Sequence, residues 1–188
     1  MGNLQSAGAG LKKMFIASVG SLICLVLLII PLVNILAAIA VFVFMIMSMI
    51  GLYQAGQEIE GCKTAFILTI VNLVVSLAGS FIKNDIMHVV ILIAGYVIDF
   101  MVIYLVCTSV GGVLNSIGAI EITQKGEVAW KISAVCYVLL GLIAIAMMTP
   151  VFGFLAGIIG SIVVLVLSLV AEVCYMIFLS KSSQALGA

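Results

Sequence analysis

Asp99 lies in the run AGYVIDFMVIYL, residues 94–105, whose other members are apolar, aromatic or glycine. A carboxyl group at the centre of an apolar segment costs about 2.5–3.5 kcal/mol, so it needs a partner, water or a task. Asn72 and Ser76, one helical turn apart, are its nearest candidates. Counted from Asn84, where the chain reverses, Asp99 lies 15 residues after and Asn72 12 residues before. With a rise of about 1.5 Å per residue, the two come within roughly one turn in depth. The Asn72 amide can then donate to the carboxylate, with Ser76 and Thr69 supplying hydroxyls on the same face. Two readings follow. In one, Asp99, Asn72 and Ser76 form a proton- or cation-binding pocket between helices, since intramembrane acids mark ion routes. In the other, a protonated Asp99 bonds to Asn72 and fixes helix packing.

Glu172 is the second acid in an apolar run. It lies 22 residues after Pro150, and Lys131 lies 19 before it, so an ion pair at the membrane boundary is expected. The sharper alternative makes Glu172 a gate or a carboxylate for substrate. His88, the only histidine, follows KNDIM beside a turn and reads as a surface residue.

Catalytic patterns are absent. There is no G-x-S-x-G, H-E-x-x-H, phosphate-binding or dinucleotide-binding glycine pattern. The depth counts also set Asp99 and Glu172 apart, which makes them a poor catalytic dyad. No enzyme is expected. The five cysteines include no C-x-x-C pair, and four lie inside apolar runs, where thiols act as small hydrophobic fillers. With one histidine and scattered thiols, no metal site and no cofactor are expected.

These few polar groups must be positioned by a membrane protein. The 188 residues are 66% hydrophobic and only 7% charged, against about 45–50% and 25% in soluble domains. A soluble fold of this size cannot bury so much apolar surface. The lipid bilayer is the solvent. All seven basic residues are lysines and seven acids balance them, so there is no basic footprint for nucleic acid.

Six runs are long enough to cross a hydrocarbon core of about 30 Å as helices. They cover roughly 13–32, 35–54, 64–82, 87–109, 130–148 and 151–180. The fold class is therefore all-α integral membrane: six transmembrane helices in one bundle and one domain. Short breaks containing Pro31, Lys83 and Pro150 alternate with longer charged ones. That alternation reads as three α-hairpins, 12–54, 63–109 and 130–180, with 110–129 as a cytoplasmic connector. Within the connector, VLNSIGAIEI has a spacing compatible with a short interfacial helix. Lys12 to Pro31 and Lys131 to Pro150 are both steps of 19, and PLVNILAAI matches PVFGFLAGI. These spacings suggest an internal repeat, in which Ser48 and Leu167 stand where the middle copy has Asp99. Tyr53 and Tyr104 stand where the third copy has Glu172.

Six lysines fall on the side of the N-terminus and one, Lys83, on the other. The positive-inside rule then sets both termini in the cytoplasm of a multi-pass plasma-membrane protein. All three hairpins run in the same sense, as parallel repeats about the membrane normal. Gly153, Gly157 and Ser161 repeat at four-residue spacing on the last span, a row that permits close helix packing within the chain or against another copy.

In form the chain resembles mitochondrial carriers, but its repeats are half as long and lack the Pro-x-acid-x-x-basic signature after Pro31 and Pro150. It also resembles the substrate-capturing subunits of bacterial vitamin importers, although its outer turns are too short to close over a ligand. Two functions are expected in competition. One is a transporter or transport subunit using the polar site around Asp99. The other is a non-catalytic membrane subunit that binds itself or a membrane-protein partner, with Asp99 serving helix packing.

Overall fold

In lipid, a helix satisfies its own backbone, so each apolar run becomes a single α-helix. The computed structural model describes residues 4–27, 30, 33–81, 84–147 and 152–187, with side chains throughout except at 85, 152–159 and 161. The helices are α1 (Leu4–Leu27), α2 (Asn34–Gly56), α3 (Glu60–Gly79), α4 (Asp85–Ser116), α5 (Ile120–Ala146) and α6 (Phe152–Ala185). All six contain a stretch long and apolar enough to cross a membrane. The reversals at Pro31, Lys83 and Pro150 lie outside the described residues, as does the side-chain packing of Gly153, Gly157 and Ser161.

Each helix packs against its neighbours in the chain, and α6 returns to pack on α1, so the bundle closes in chain order. Among the described residues, only α4 also reaches across, to α6. We call the end that holds both chain termini basal and the opposite end apical. The buried core sits at the basal end. Leu11 and Met14 of α1 meet Leu52 and Ala55 of α2, Val106 and Val110 of α4, and Phe178 and Leu179 of α6 there. Towards the apical end the helices present Ile35, Leu36, Phe81, Ile86 and Val90 outward, the surface expected against acyl chains.

Two elements differ from the sequence expectation. First, α1 starts at Leu4, about nine residues before the expected span. The stretch AGAG packs rather than frays: Ala7, Gly8, Gly10 and Leu11 are buried. A Cβ on Gly10 would come within 2.5 Å of the Gly51 carbonyl oxygen, and one on Gly51 within 2.6 Å of the Gly10 carbonyl oxygen. Small residues on both helices let the two backbones touch, which is how helices associate where no hydrophobic force drives them together.

Second, the segment 110–129 contains no separate helix. The helix α4 runs on to Ser116 and α5 begins at Ile120. Val110 and Leu114 are fully buried, so core packing continues the helix past the expected end of the span at residue 109. The turn is a Schellman closure. Gly118 adopts φ +81°, its amide bonds Asn115 O at 3.1 Å, and the Ala119 amide bonds Leu114 O at 2.9 Å. A glycine accepts this left-handed conformation without a Cβ clash.

At 32 and 34 residues, α4 and α6 are ~50 Å long, well beyond a hydrocarbon core of about 30 Å. Trp130 makes an edge-on contact with Tyr104 at 5.3 Å, and the Lys131 ammonium lies 5.6 Å from its ring. Indole beside lysine is the composition of a membrane–water boundary. All five cysteines are free, and Cys24, Cys62, Cys107 and Cys136 are buried.

Candidate functional site

The site begins at the apical start of α4. Asn84 caps that helix, its side chain accepting from the amides of Ile86 at 3.0 Å and Met87 at 3.2 Å. This cap replaces hydrogen bonds that the first turn of a helix cannot make internally. From there α4 descends beside α3, and Asp99 arrives level with Asn72. The Asn72 amide nitrogen donates to Asp99 Oδ1 at 2.6 Å. Both side chains are half-buried. The Asn72 amide oxygen is buried and accepts no hydrogen bond among the described residues. It sits against Gly95, where a Cβ would come within 3.3 Å of it. Asn72 thus presents its amide nitrogen to the carboxylate and its amide oxygen to Gly95. A carboxylate beside a cleft is a group that can take a proton or a small cation.

These groups line a cleft of about 240 Å³ between α3 and α4. Ser76, Ser80 and His88 line its apical part and Tyr96 stands one turn above Asp99. Ser76 is exposed and lines the cleft. The Ser80 hydroxyl donates to Ser76 O at 3.1 Å. Thr69 does not line the cleft; its hydroxyl donates to Ala65 O at 2.9 Å within its own helix.

Glu172 stands elsewhere, and not with Lys131. Lys131 pairs with Glu127 at 3.0 Å, one turn away on the same helix, at an exposed surface. A helical i,i+4 pair forms without any ordering of a second helix, so it wins over the expected partner. Glu172 instead turns inward. It lines a cavity of about 100 Å³ with Ser133, Tyr137, Ser168 and Tyr175, and the Ser18 hydroxyl of α1 faces it. Ser133 and Ser168 hydroxyls donate to carbonyls of their own helices, Ala129 and Leu165, both at 2.9 Å.

Asp99, Asn72 and Ser76 are therefore brought together, while Glu172 occupies a second polar space. Sequence reasoning did not single out Tyr96 or Tyr137. The ring of Tyr137 lies 6.3 Å from that of Tyr96, and Tyr137 is within electrostatic range of both Asp99 and Glu172. Tyr96 carried a readable signal, three residues before Asp99 and hence on the same face. Tyr137 carried none beyond being a hydroxyl in an apolar span. Among the described residues no three histidine, cysteine or acidic side chains group as metal ligands.

Compared with protein-family models, with curated proteins and with solved structures, the chain matches none.

Proposed function

We propose that this chain is a small transport protein, or a subunit of a transport system, that binds a proton or cation at Asp99 and Asn72. The observation that carries the reading is the cleft. Asp99 and Asn72 line a space shared with Ser76, Ser80 and His88, not the apolar core at the basal end. An acid used only for packing gains most from a dry, fully satisfied pocket. The rival reading, a non-catalytic partner-binding subunit, draws on the short bond from Asn72 to Asp99. We read the site as one for binding rather than bond-breaking chemistry, since among the described residues the cleft holds a single acid and no group of three metal-ligand side chains.

The lysine distribution supports a plasma-membrane protein with cytoplasmic termini, which makes the basal end cytoplasmic and the cleft external. Burial adds support to the three-hairpin repeat. At the repeat's steps of 51 and 68 residues, Gly56, Cys107 and Tyr175 are all buried, as are Ile59, Val110 and Phe178. Met14, Ala65 and Ser133 agree on the first helix of each unit.

Reconstitution tests the function. Proteoliposomes containing the chain should move protons or a monovalent cation down an imposed gradient, and Asp99→Asn should abolish that movement. Flux that is unchanged in Asp99→Asn would remove the basis for the transport reading and leave the packing role.

A further inference from the structure

We propose that Glu172 and the apolar groove on its apical side form a binding site for an amphipathic organic amine, with the ammonium at Glu172 and the apolar body in the groove. The site is separate from the Asp99 cleft, so it stands or falls independently of ion binding there.

One continuous face of each of two packed helices builds it. On α6, Val164, Ser168 and Glu172 follow one another at four-residue steps. On α5, Ser133, Tyr137, Leu140, Ala144 and Met147 follow at steps of three or four. Residues so spaced share a helix face, and α5 packs on α6. The basal part of the strip walls the Glu172 cavity of about 100 Å³. The apical part walls a groove of about 420 Å³, and Leu140 and Ser168 belong to both. Apart from Tyr96 and Ser168, the walls of the groove are apolar side chains. From Glu172 up to Val164 is eight residues, or ~12 Å of helix. The groove lies within the range of small-molecule sites, about 300–1,000 Å³.

The polar end selects a cation. The Ser133 hydroxyl donates to Ala129 O and the Ser168 hydroxyl to Leu165 O, both at 2.9 Å, so each hydroxyl oxygen has only lone pairs left. An ionised Glu172 also only accepts, whereas an ammonium brings donors and a positive charge. Among the described residues no basic side chain lines the cavity or the groove. Lys125 and Lys131, earlier on α5, pair with Glu121 and Glu127. The ligand therefore supplies the charge that meets Glu172. Tyr137 and Tyr175 also line the cavity, and aromatic side chains attract organic cations. About 100 Å³ is the space of roughly three waters at ~30 Å³ each, which suits a primary ammonium and not a bulky head. An inorganic cation meets the acid but makes no use of the adjoining groove; an amine with an apolar body meets both. Met147 and Leu165, on the groove wall, are exposed, which lets such a ligand enter from the bilayer. Basal to Glu172, Phe178 and Leu179 are fully buried, so the site is a blind end that captures without conducting.

The test uses the full chain in nanodiscs of zwitterionic lipid and radiolabelled decylamine, an amine whose alkyl chain is about as long as the groove. Binding is counted in excess of empty nanodiscs. Saturable binding is expected, with decanol, decanoate, methylammonium and sodium all competing far more weakly. Glu172→Gln should weaken decylamine by about 10- to 100-fold, the usual loss when a hydrogen bond to a charged group is removed. Ala144→Phe fills the groove and leaves the acid in place, so it reads the site even where Glu172→Gln fails to fold, and it should weaken decylamine to a similar degree. Asp99→Asn should bind as the wild type does. Binding no greater than that of empty nanodiscs, or decanol competing as well as decylamine, overturns the site. Wild-type affinity in a folded Glu172→Gln or in Ala144→Phe also overturns it. Loss of binding in Asp99→Asn with full binding in Glu172→Gln moves the amine to the Asp99 cleft and overturns the assignment to Glu172. Methylammonium or sodium competing as strongly as decylamine overturns the amphipathic ligand in favour of a small cation.

Discussion

Asn72 gives Asp99 one short hydrogen bond, and its own amide oxygen is buried with no donor among the described residues. The pairing is therefore worth less to stability than a fully satisfied network would be. Interhelical hydrogen bonds in membranes average about 0.6 kcal/mol and reach about 1.7. Asn72→Leu should destabilise the bundle by about 1 kcal/mol in a reversible unfolding assay, while abolishing ion binding. A loss several times larger would identify the pair as a packing device. At this scale the sequence was legible where cost forces a partner. An acid in an apolar run, level with the one asparagine across the hairpin, left few alternatives. Glu172 was not legible, because Lys131 had a cheaper partner in Glu127 on its own helix. Spacing in the sequence gives depth, but not which of two partners a side chain takes.

The crossing of α1 and α2 is set by glycine against backbone. A Cβ on Gly51 would stand 2.6 Å from Gly10 O and 3.0 Å from the Met14 amide nitrogen, and backbone cannot move aside as a flexible side chain can. Gly51→Leu should therefore cost about 1–3 kcal/mol or more, the usual penalty for overpacking. Gly112, whose Cβ would meet nothing within 4 Å, provides the control: Gly112→Ala should be neutral or slightly stabilising in the same assay. At the α4–α5 turn, Gly118→Ala places a Cβ at φ +81° and should cost about 1–2 kcal/mol. These elements were only partly readable. Six helices followed from length and hydropathy. The early start of α1 did not, because AGAG looks too small to pack until the facing Gly51 on α2 is known. The turn at Gly118 was hidden inside a stretch whose spacing also fits an interfacial helix, and only burial of Val110 and Leu114 decides between them.

At the scale of the whole molecule, a closed basal core and a polar apical cleft make the bundle asymmetric across the membrane. Six crossings place Gln5 and Gln184, both exposed, on one side and Phe81, 85% exposed, on the other. Single cysteines at these positions, in a background with the five native ones replaced, should react with an impermeant thiol reagent from outside only at Phe81→Cys. The closure of α6 onto α1 was not readable from the sequence at all, because a hairpin pattern fixes neighbours along the chain and not which ends meet. We infer that solvent reaches Asp99 through its cleft from the apical side. In the same background, Asp99→Cys tests it most directly. Labelling is expected from the side that labels Phe81→Cys, in the intact membrane and without detergent. A thiol at position 99 that stays unlabelled until the protein is denatured, while Phe81→Cys reacts normally, contradicts it.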